Sequence, residues 1–356
     1  MRVFGVVLGG VATLFSVLFF VPSQALAASA SGSSITTSPI SRVLQASPGQ
    51  SVSTTLSIMN NGLVPRIIQL QLETFKPYGT NGRAQITQPP ANSPYISWAH
   101  FSENSFVLSP GIWQQVKLTI TVPKSAALDY YYAVVVKPQV ITSNPSGTNT
   151  NTLKGYNAIL VLLDVLSPNA KAALTVKNFS ASHGLYEYLP ASFSVKTYNT
   201  GNVFMAPQGE IYISKSSRFA NIIATIPFNA SNGNVLPETT RIYNAQWTDG
   251  FPVFTPKTVD GQPVLDGAGQ PVEHLVWNFA DANKFRFGEY YAKLVLVYNN
   301  GTRDVPVIAV VSFWVIPYKL GSIVLIFVLL CLGGVYLLGR KVIDRTAKLS
   351  KKARKS

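Results

Sequence analysis

An all-β chain is predicted: two tandem immunoglobulin-like β-sandwich domains followed by a single C-terminal transmembrane helix. Three observations predict it. Short runs of alternating apolar and polar residues are bounded by Gly, Pro and Asn, as in strands with one buried face. Landmarks of the first half recur in the second. Finally, Leu320 to Gly339 carries no charge over 20 residues, and as a helix it spans about 30 Å, the thickness of a bilayer's hydrocarbon core.

At the N-terminus, Arg2 precedes the apolar run Val3 to Phe20, which Pro22 and Ser23 break. Ala25 and Ala27 then supply the small-x-small pattern of signal peptidase. Residues 1–27 therefore read as a signal peptide, with an uncleaved signal anchor as the alternative for so long a run. Residues 28–168 are assigned to the first sandwich. In it Ile68, Leu70 and Leu72 alternate with Gln69, Gln71 and Glu73, and Val116, Leu118, Ile120 and Val122 with Lys117, Thr119 and Thr121. Ile141 to Gly155 is rich in Ser, Thr, Asn and Gly and reads as a long loop inside this domain. The apolar strand Tyr156 to Val165 beyond it is needed to complete the sandwich.

The join is placed near Pro168-Asn169-Ala170, the alternative being that 141–155 is the linker and the boundary lies about 25 residues upstream. Residues 169–317 are assigned to the second sandwich. Phe193 and Val195 alternate with Ser194 and Lys196, and Leu294 and Leu296 stand opposite Lys293. Asn60-Asn61-Gly62 is echoed by Asn199-Thr200-Gly201, and the turn Leu108-Ser109-Pro110-Gly111 by Leu236-Pro237-Glu238. Tyr131-Tyr132-Ala133 is echoed by Tyr290-Tyr291-Ala292. The stretch before this last landmark is longer in the second half, which places an insertion around Gly250 to Val272. Its Asp260-Gly261 and Asp266-Gly267 pairs predict exposed hairpins or loops.

Residues 318–339 read as the transmembrane helix and 340–356 as a basic cytoplasmic tail. Arg340, Lys341 and Arg345 open that tail, in which eight bases face the single acid Asp344. Such an excess beside a span stays on the cytoplasmic side. The expected location is the plasma membrane, with the ectodomain outside and the tail against anionic lipid headgroups. The tail also explains much of the formal net charge of +14. Without it and Arg2, 20 bases face 14 acids, too mild a bias to imply a nucleic-acid partner. The only cysteine, Cys331, lies within the span, so no intramolecular disulfide can form. An exported chain of this size without disulfides reads as bacterial.

No constellation for chemistry emerges. His100, His183 and His274 are scattered, without metal-ligand spacing. Asp260 and Asp266 are single carboxylates, too far apart for a calcium loop. No Gly-x-Ser-x-Gly elbow occurs, and Glu103, Glu187 and Glu289 make no recognisable acid–base pair. Leu236-Pro237-Glu238-Thr239 begins like a sortase signal, but Thr240 stands where Gly is required. No catalytic, cofactor or metal residues are assigned. What remains is a candidate binding surface of aromatics, Trp98, Trp113 and Tyr131, suited to sugar rings or a partner protein. Aromatics that fill and rim a sandwich core are the plainer reading of the same residues.

Ser47-Pro48-Gly49-Gln50 precedes a strand that ends in Asn60-Asn61, and Phe106-Val107-Leu108-Ser109-Pro110-Gly111 precedes the strand from Val116 to Pro123. With the order of signal peptide, two sandwiches, one span and a basic tail, these residues resemble the bacterial WxL-interacting cell-surface proteins. The first domain is similar to that family's peptidoglycan-binding type. The resemblance implies a non-catalytic binding or scaffold protein, whose first domain engages cell-wall polymer and whose second engages a surface protein or host matrix. The insertion at 250–272 departs from the family's second domain. An accessory ectodomain of a membrane transport or secretion complex is the alternative, with a surface hydrolase behind it.

Overall fold

The computed structural model describes residues 35–90, 93–140 and 156–353. The expected signal peptide with Ala25 and Ala27, and the expected loop at 141–155, lie outside the described residues.

Ten strands build the first sandwich: β1 (Ile35–Ser38), β2 (Ser41–Ala46), β3 (Ser51–Asn60), β4 (Arg66–Tyr78), β5 (Arg83–Thr87), β6 (Ala99–Phe101), β7 (Ser105–Leu108), β8 (Trp113–Thr121), β9 (Leu128–Val140) and β10 (Asn157–Val165). One sheet runs β1-β3-β8-β6 and the other β2-β10-β9-β4-β5, with β7 also paired to β4. The inward rows are those the alternation picks out. Leu56, Ile58, Val116, Leu118 and Ile120 face Ile68, Leu70, Tyr132, Val134 and Val136 across the core. Each such aliphatic side chain contributes about 1.5–3 kcal/mol by leaving water.

The second sandwich contains β11 (Leu174–Ala181), β12 (Leu185–Tyr186), β13 (Ala191–Asn199), β14 (Gln208–Ser214), β15 (Ala224–Phe228), β16 (Thr240–Trp247), β17 (Val253–Pro256), β18 (Thr258–Val259), β19 (Gln262–Pro263), β20 (Glu273–Val276), β21 (Gly288–Asn299) and β22 (Asp304–Val315). Its sheets run β11-β13-β16 and β12-β22-β21-β14-β15. That order repeats the first sandwich, down to a short parallel strand on one edge: β2 beside β10, and β12 beside β22. Its core is more aromatic, with the Phe313 ring in contact with Phe193, Trp247 and Tyr290, and Trp247 against Tyr290.

A buried asparagine marks the same place in each sandwich. Asn60 Nδ2 donates to the carbonyls of Val64 (2.8 Å) and Leu108 (3.1 Å), and its Oδ1 accepts from the Gly62 amide (2.9 Å). Asn199 Nδ2 donates to the carbonyls of Val203 (2.8 Å) and Val235 (3.0 Å), and its Oδ1 accepts from Gly201 (2.8 Å). One amide thus ties a strand end to two turns. The tyrosine echo needs a correction of one residue. Leu128 and Gly288 both have positive φ (66° and 105°), each just before an acid. The Tyr130 and Tyr290 hydroxyls then accept from backbone amides three residues upstream, those of Ala127 and Phe287. The structural partners are therefore Tyr130 with Tyr290 and Tyr131 with Tyr291.

The long connection from β16 to β21 carries the insertion. β17 pairs with β20, and β18 and β19 form a two-residue hairpin around Asp260-Gly261, both with positive φ. Asp266 Oδ1 accepts from the amides of Ala268 and Gln270, so this carboxylate holds a turn. After β22 only Ile316 and Pro317 precede α1 (Tyr318–Ala353). The segment Tyr318–Lys341 is long and apolar enough to cross a membrane. The helix does not stop at Gly339. It continues through Arg340, Lys341 and Arg345 to Ala353, because Lys, Arg and Ala are good helix formers and one glycine is a weak break.

Replacing Asn60 with Ala removes three hydrogen bonds and strands two carbonyls, at an expected cost of about 2–4 kcal/mol. Urea denaturation of the purified chain checks it, and a midpoint equal to wild type would refute the role given to this side chain.

Candidate functional site

Two surfaces of the first sandwich carry more apolar character than a solvated sheet needs, and they lie at opposite ends of it. At one end β9 and β10 are buried on both faces. Tyr132, Val134, Ile159 and Val161 point into the core, while Tyr131, Ala133, Leu160 and Leu162 point outward. The outward row meets Phe204 and Leu236 of the second sandwich, together with Phe75 from β4. The Tyr131 ring lies 5.6 Å from Phe75 and 6.3 Å from Phe204.

Polar contacts lock this seam. Asp129 Oδ2 accepts from the Phe204 amide and from the Tyr131 hydroxyl (3.2 Å). Burial is the main cause that pushes the Asp129 carboxyl up, to about 7; the nearby Asp164 carboxylate adds to it, and the two donors oppose it. Its Oδ1 is buried without a hydrogen-bond partner, the natural place for a proton. Burial raises the Tyr131 hydroxyl as well, followed by the charge of Asp129.

Further along the seam the Ile242 amide donates to the Thr80 carbonyl (2.7 Å), joining the β4–β5 turn to β16. The Arg241 guanidinium sits between Gly82 of the first sandwich and Gly233 of the second, and neither glycine leaves room for a Cβ beside it. It donates to the Asn234 carbonyl and lies over the Tyr243 ring. Beside it is a cavity of about 280 Å³ floored by Phe75, Leu160, Leu162 and Leu236, with Arg83 and Arg241 on its wall. This is small for a ligand pocket. Its lining offers no nucleophile paired with a base.

At the opposite end, two turns close the sandwich. Asn60 knits them together: its side chain reaches Val64 and Leu108, and its carbonyl accepts from Gly111 (2.8 Å). The turns expose Leu63 (96%) and Trp113 (46%), with Val64 and Ile112 beside them. These four apolar side chains sit exposed on neighbouring turns of one pole, and exposed apolar patches are commonly used for contact. Val140 and Asn157, the nearest strand residues on either side of 141–155, end their strands at this same pole, since Val140 pairs with Arg66.

The three aromatics singled out from the sequence fall in three places. Trp113 is on the exposed tip. Trp98 ends a 3-10 turn (Pro94–Trp98) and packs edge-on against Tyr130 (4.8 Å), rimming the core. Tyr131 lies in the seam. The structure brings none of them together. Periodicity did not reveal Asp129, Arg241 or Phe204 as seam residues, because each depends on a neighbour in the other sandwich. One signal was available: the unbroken apolar run Ile159 to Leu163 requires cover on both faces.

No protein-family model matches the chain, and no curated protein matches it. Solved structures similar to it include the class 5 fimbriae chaperone CfaA, at 15% identity and a TM-score of 0.37, covering 78% of this chain and 98% of that one. The E. coli chaperone DraB is similar at 10% identity and a TM-score of 0.32, covering 77% and 97%. The YadV chaperone is similar at 11% identity and a TM-score of 0.32, covering 78% and 100%.

Because the folded chain holds the Asp129 proton more tightly than the unfolded chain, its contribution is full at low pH and is lost as pH rises from the ordinary carboxylate range through about 7. Asp129→Asn keeps the acceptor and removes the titration. Its stability relative to wild type should therefore rise between about pH 4 and about pH 8, by about 2 kcal/mol. Parallel pH profiles of denaturant unfolding for the two proteins decide this, and parallel curves of constant separation would show that Asp129 does not titrate in the seam.

Proposed function

We propose that the chain is a non-catalytic, membrane-anchored bacterial surface protein, of the kind its sequence resembles in the WxL-interacting family. Its first sandwich presents the tip around Trp113 to cell-wall polymer or to another surface protein. The observation that carries this reading is the placement of the tip. It lies at the pole of the first sandwich opposite the seam, while an apolar helix followed by bases leaves the far end of the second sandwich. With that helix in the plasma membrane and its basic end in the cytoplasm, the ectodomain is outside and the tip is its most remote recognition surface. Trp113 offers an apolar ring face with an N–H at its edge, the combination that suits a sugar ring or a protein surface.

A second reading, an accessory ectodomain in a membrane complex, is favoured by a different observation. The outward row of β22 exposes Ile308, Val310 and Trp314 on the sandwich nearest the helix. Binding there would leave the tip unused.

Sedimentation of the detergent-solubilised chain with purified peptidoglycan separates these readings. Co-pelleting that survives moderate salt and weakens about tenfold in Trp113→Ala, a loss of about 1.4 kcal/mol, is expected from tip recognition of wall polymer. Pelleting abolished by modest salt would reflect only the mild positive charge. That result, or no pelleting, removes wall polymer as the ligand.

A further inference from the structure

We propose that the β16–β21 insertion of the second sandwich forms an aromatic foot that rests in the interfacial layer of the same bilayer that α1 crosses. The inference rests on the membrane-anchored reading and adds a second, lateral contact with lipid.

Chain geometry sets the level of the foot. Gly288 opens β21 opposite Val315, the last residue of β22. Phe285 and Phe287 therefore lie level with the point where the chain leaves the sandwich, and α1 begins three residues after Val315. The first turn of the helix is tied to the same end, because Lys319 Nζ lies 2.7 Å from Glu187 Oε2. With Leu320 onward in hydrocarbon, no spacer remains to hold this end of the sandwich away from the headgroups.

The surface that this geometry presses toward lipid carries a ring cluster of Tyr188, Phe251, Trp277 and Phe279, with Phe285 and Phe287 exposed beside it. Phe251 is bridged to Phe285, and its ring is 5.7 Å from Trp277 and 5.4 Å from Phe279. Trp277 in turn meets Tyr188, the neighbour of Glu187. Phe279 is 74% exposed and Phe287 54%, unusual for phenylalanines in water. Charge does not explain the cluster. Asp249 is paired with both Lys284 (3.1 Å) and Arg286 (2.9 Å), and Asp281 with Lys284 (2.9 Å), so its charges satisfy one another. Aromatic rings with nearby polar groups are what the boundary between headgroups and acyl chains favours. The contact should therefore form on neutral lipid and resist salt.

The test uses the full chain in nanodiscs of neutral phosphatidylcholine, with Cys331→Ser to remove the native thiol. A fluorophore is attached to one introduced cysteine, Phe279→Cys, Phe287→Cys, Leu63→Cys or Ile326→Cys, and quenched by lipid carrying a nitroxide near its headgroup. Labels at 279, 287 and 326 are expected to lose most of their emission, and the label at the tip position 63 to keep it. If 326 is quenched while 279 and 287 stay as bright as 63, the foot is overturned and the anchor stands. If 326 itself is not quenched, the anchor reading fails and the foot with it. Quenching at 279 and 287 only after anionic lipid is added would overturn the aromatic basis in favour of charge. Emission at 279 and 287 that changes with a co-reconstituted membrane protein, but not with the nitroxide lipid, would identify a protein partner and overturn the lipid contact.

Discussion

The outward face of β9 and β10 has to be covered, and the rest of the molecule is arranged around that requirement. Ala133, Leu162 and Phe75 share one buried cluster with Leu236 and Phe204 of the second sandwich. Uncovered, they would expose an apolar sheet face next to strand edges, the usual setting for aggregation. Burying each large side chain here contributes about 1.5–3 kcal/mol. The polar locks add position more than energy. The Phe204 amide needs Asp129, the Thr80 carbonyl needs Ile242, and the Arg241 guanidinium occupies the space beside Gly82 and Gly233 where side chains would otherwise stand.

The internal repeat explains how one structural element serves two ends. In each sandwich a buried asparagine ties together two turns at one pole. In the second sandwich the turns around Asn199 carry Phe204 and Leu236, and they dock on the first sandwich's sheet. In the first sandwich the corresponding turns around Asn60 carry Leu63, Ile112 and Trp113, and they are exposed. The pole that the second domain uses for docking is thus the pole that the first domain leaves free. This is the physical reason for treating the tip as a recognition surface.

Much of the strand framework was legible. Ile68, Leu70, Val116, Leu118, Phe193 and Val195 are inward residues because alternation at period two reports a half-buried strand directly. The Asp260-Gly261 hairpin was legible too, since its turn demands residues that tolerate positive φ. The tyrosine echo misled by one residue. Three consecutive tyrosines offer two alignments with Tyr290-Tyr291, and only the positive φ at Leu128 and Gly288 distinguishes them. Among the candidate binding aromatics, only Trp113 is exposed on a surface that no part of the described chain covers. Exposure is decided by tertiary neighbours, and neither Trp98 nor Tyr131 carries a local sign of its own.

The central claim is that the two sandwiches are one body joined through the seam. Amide hydrogen exchange at Phe204 and Ile242 tests it most directly, because each of these amides donates across the seam and to nothing within its own sheet. A joined body predicts that both exchange as slowly as amides of the core strands β9 and β21. Exchange as fast as that of the exposed turn at Asp260-Gly261 would mean that the sandwiches part freely, and would contradict the claim.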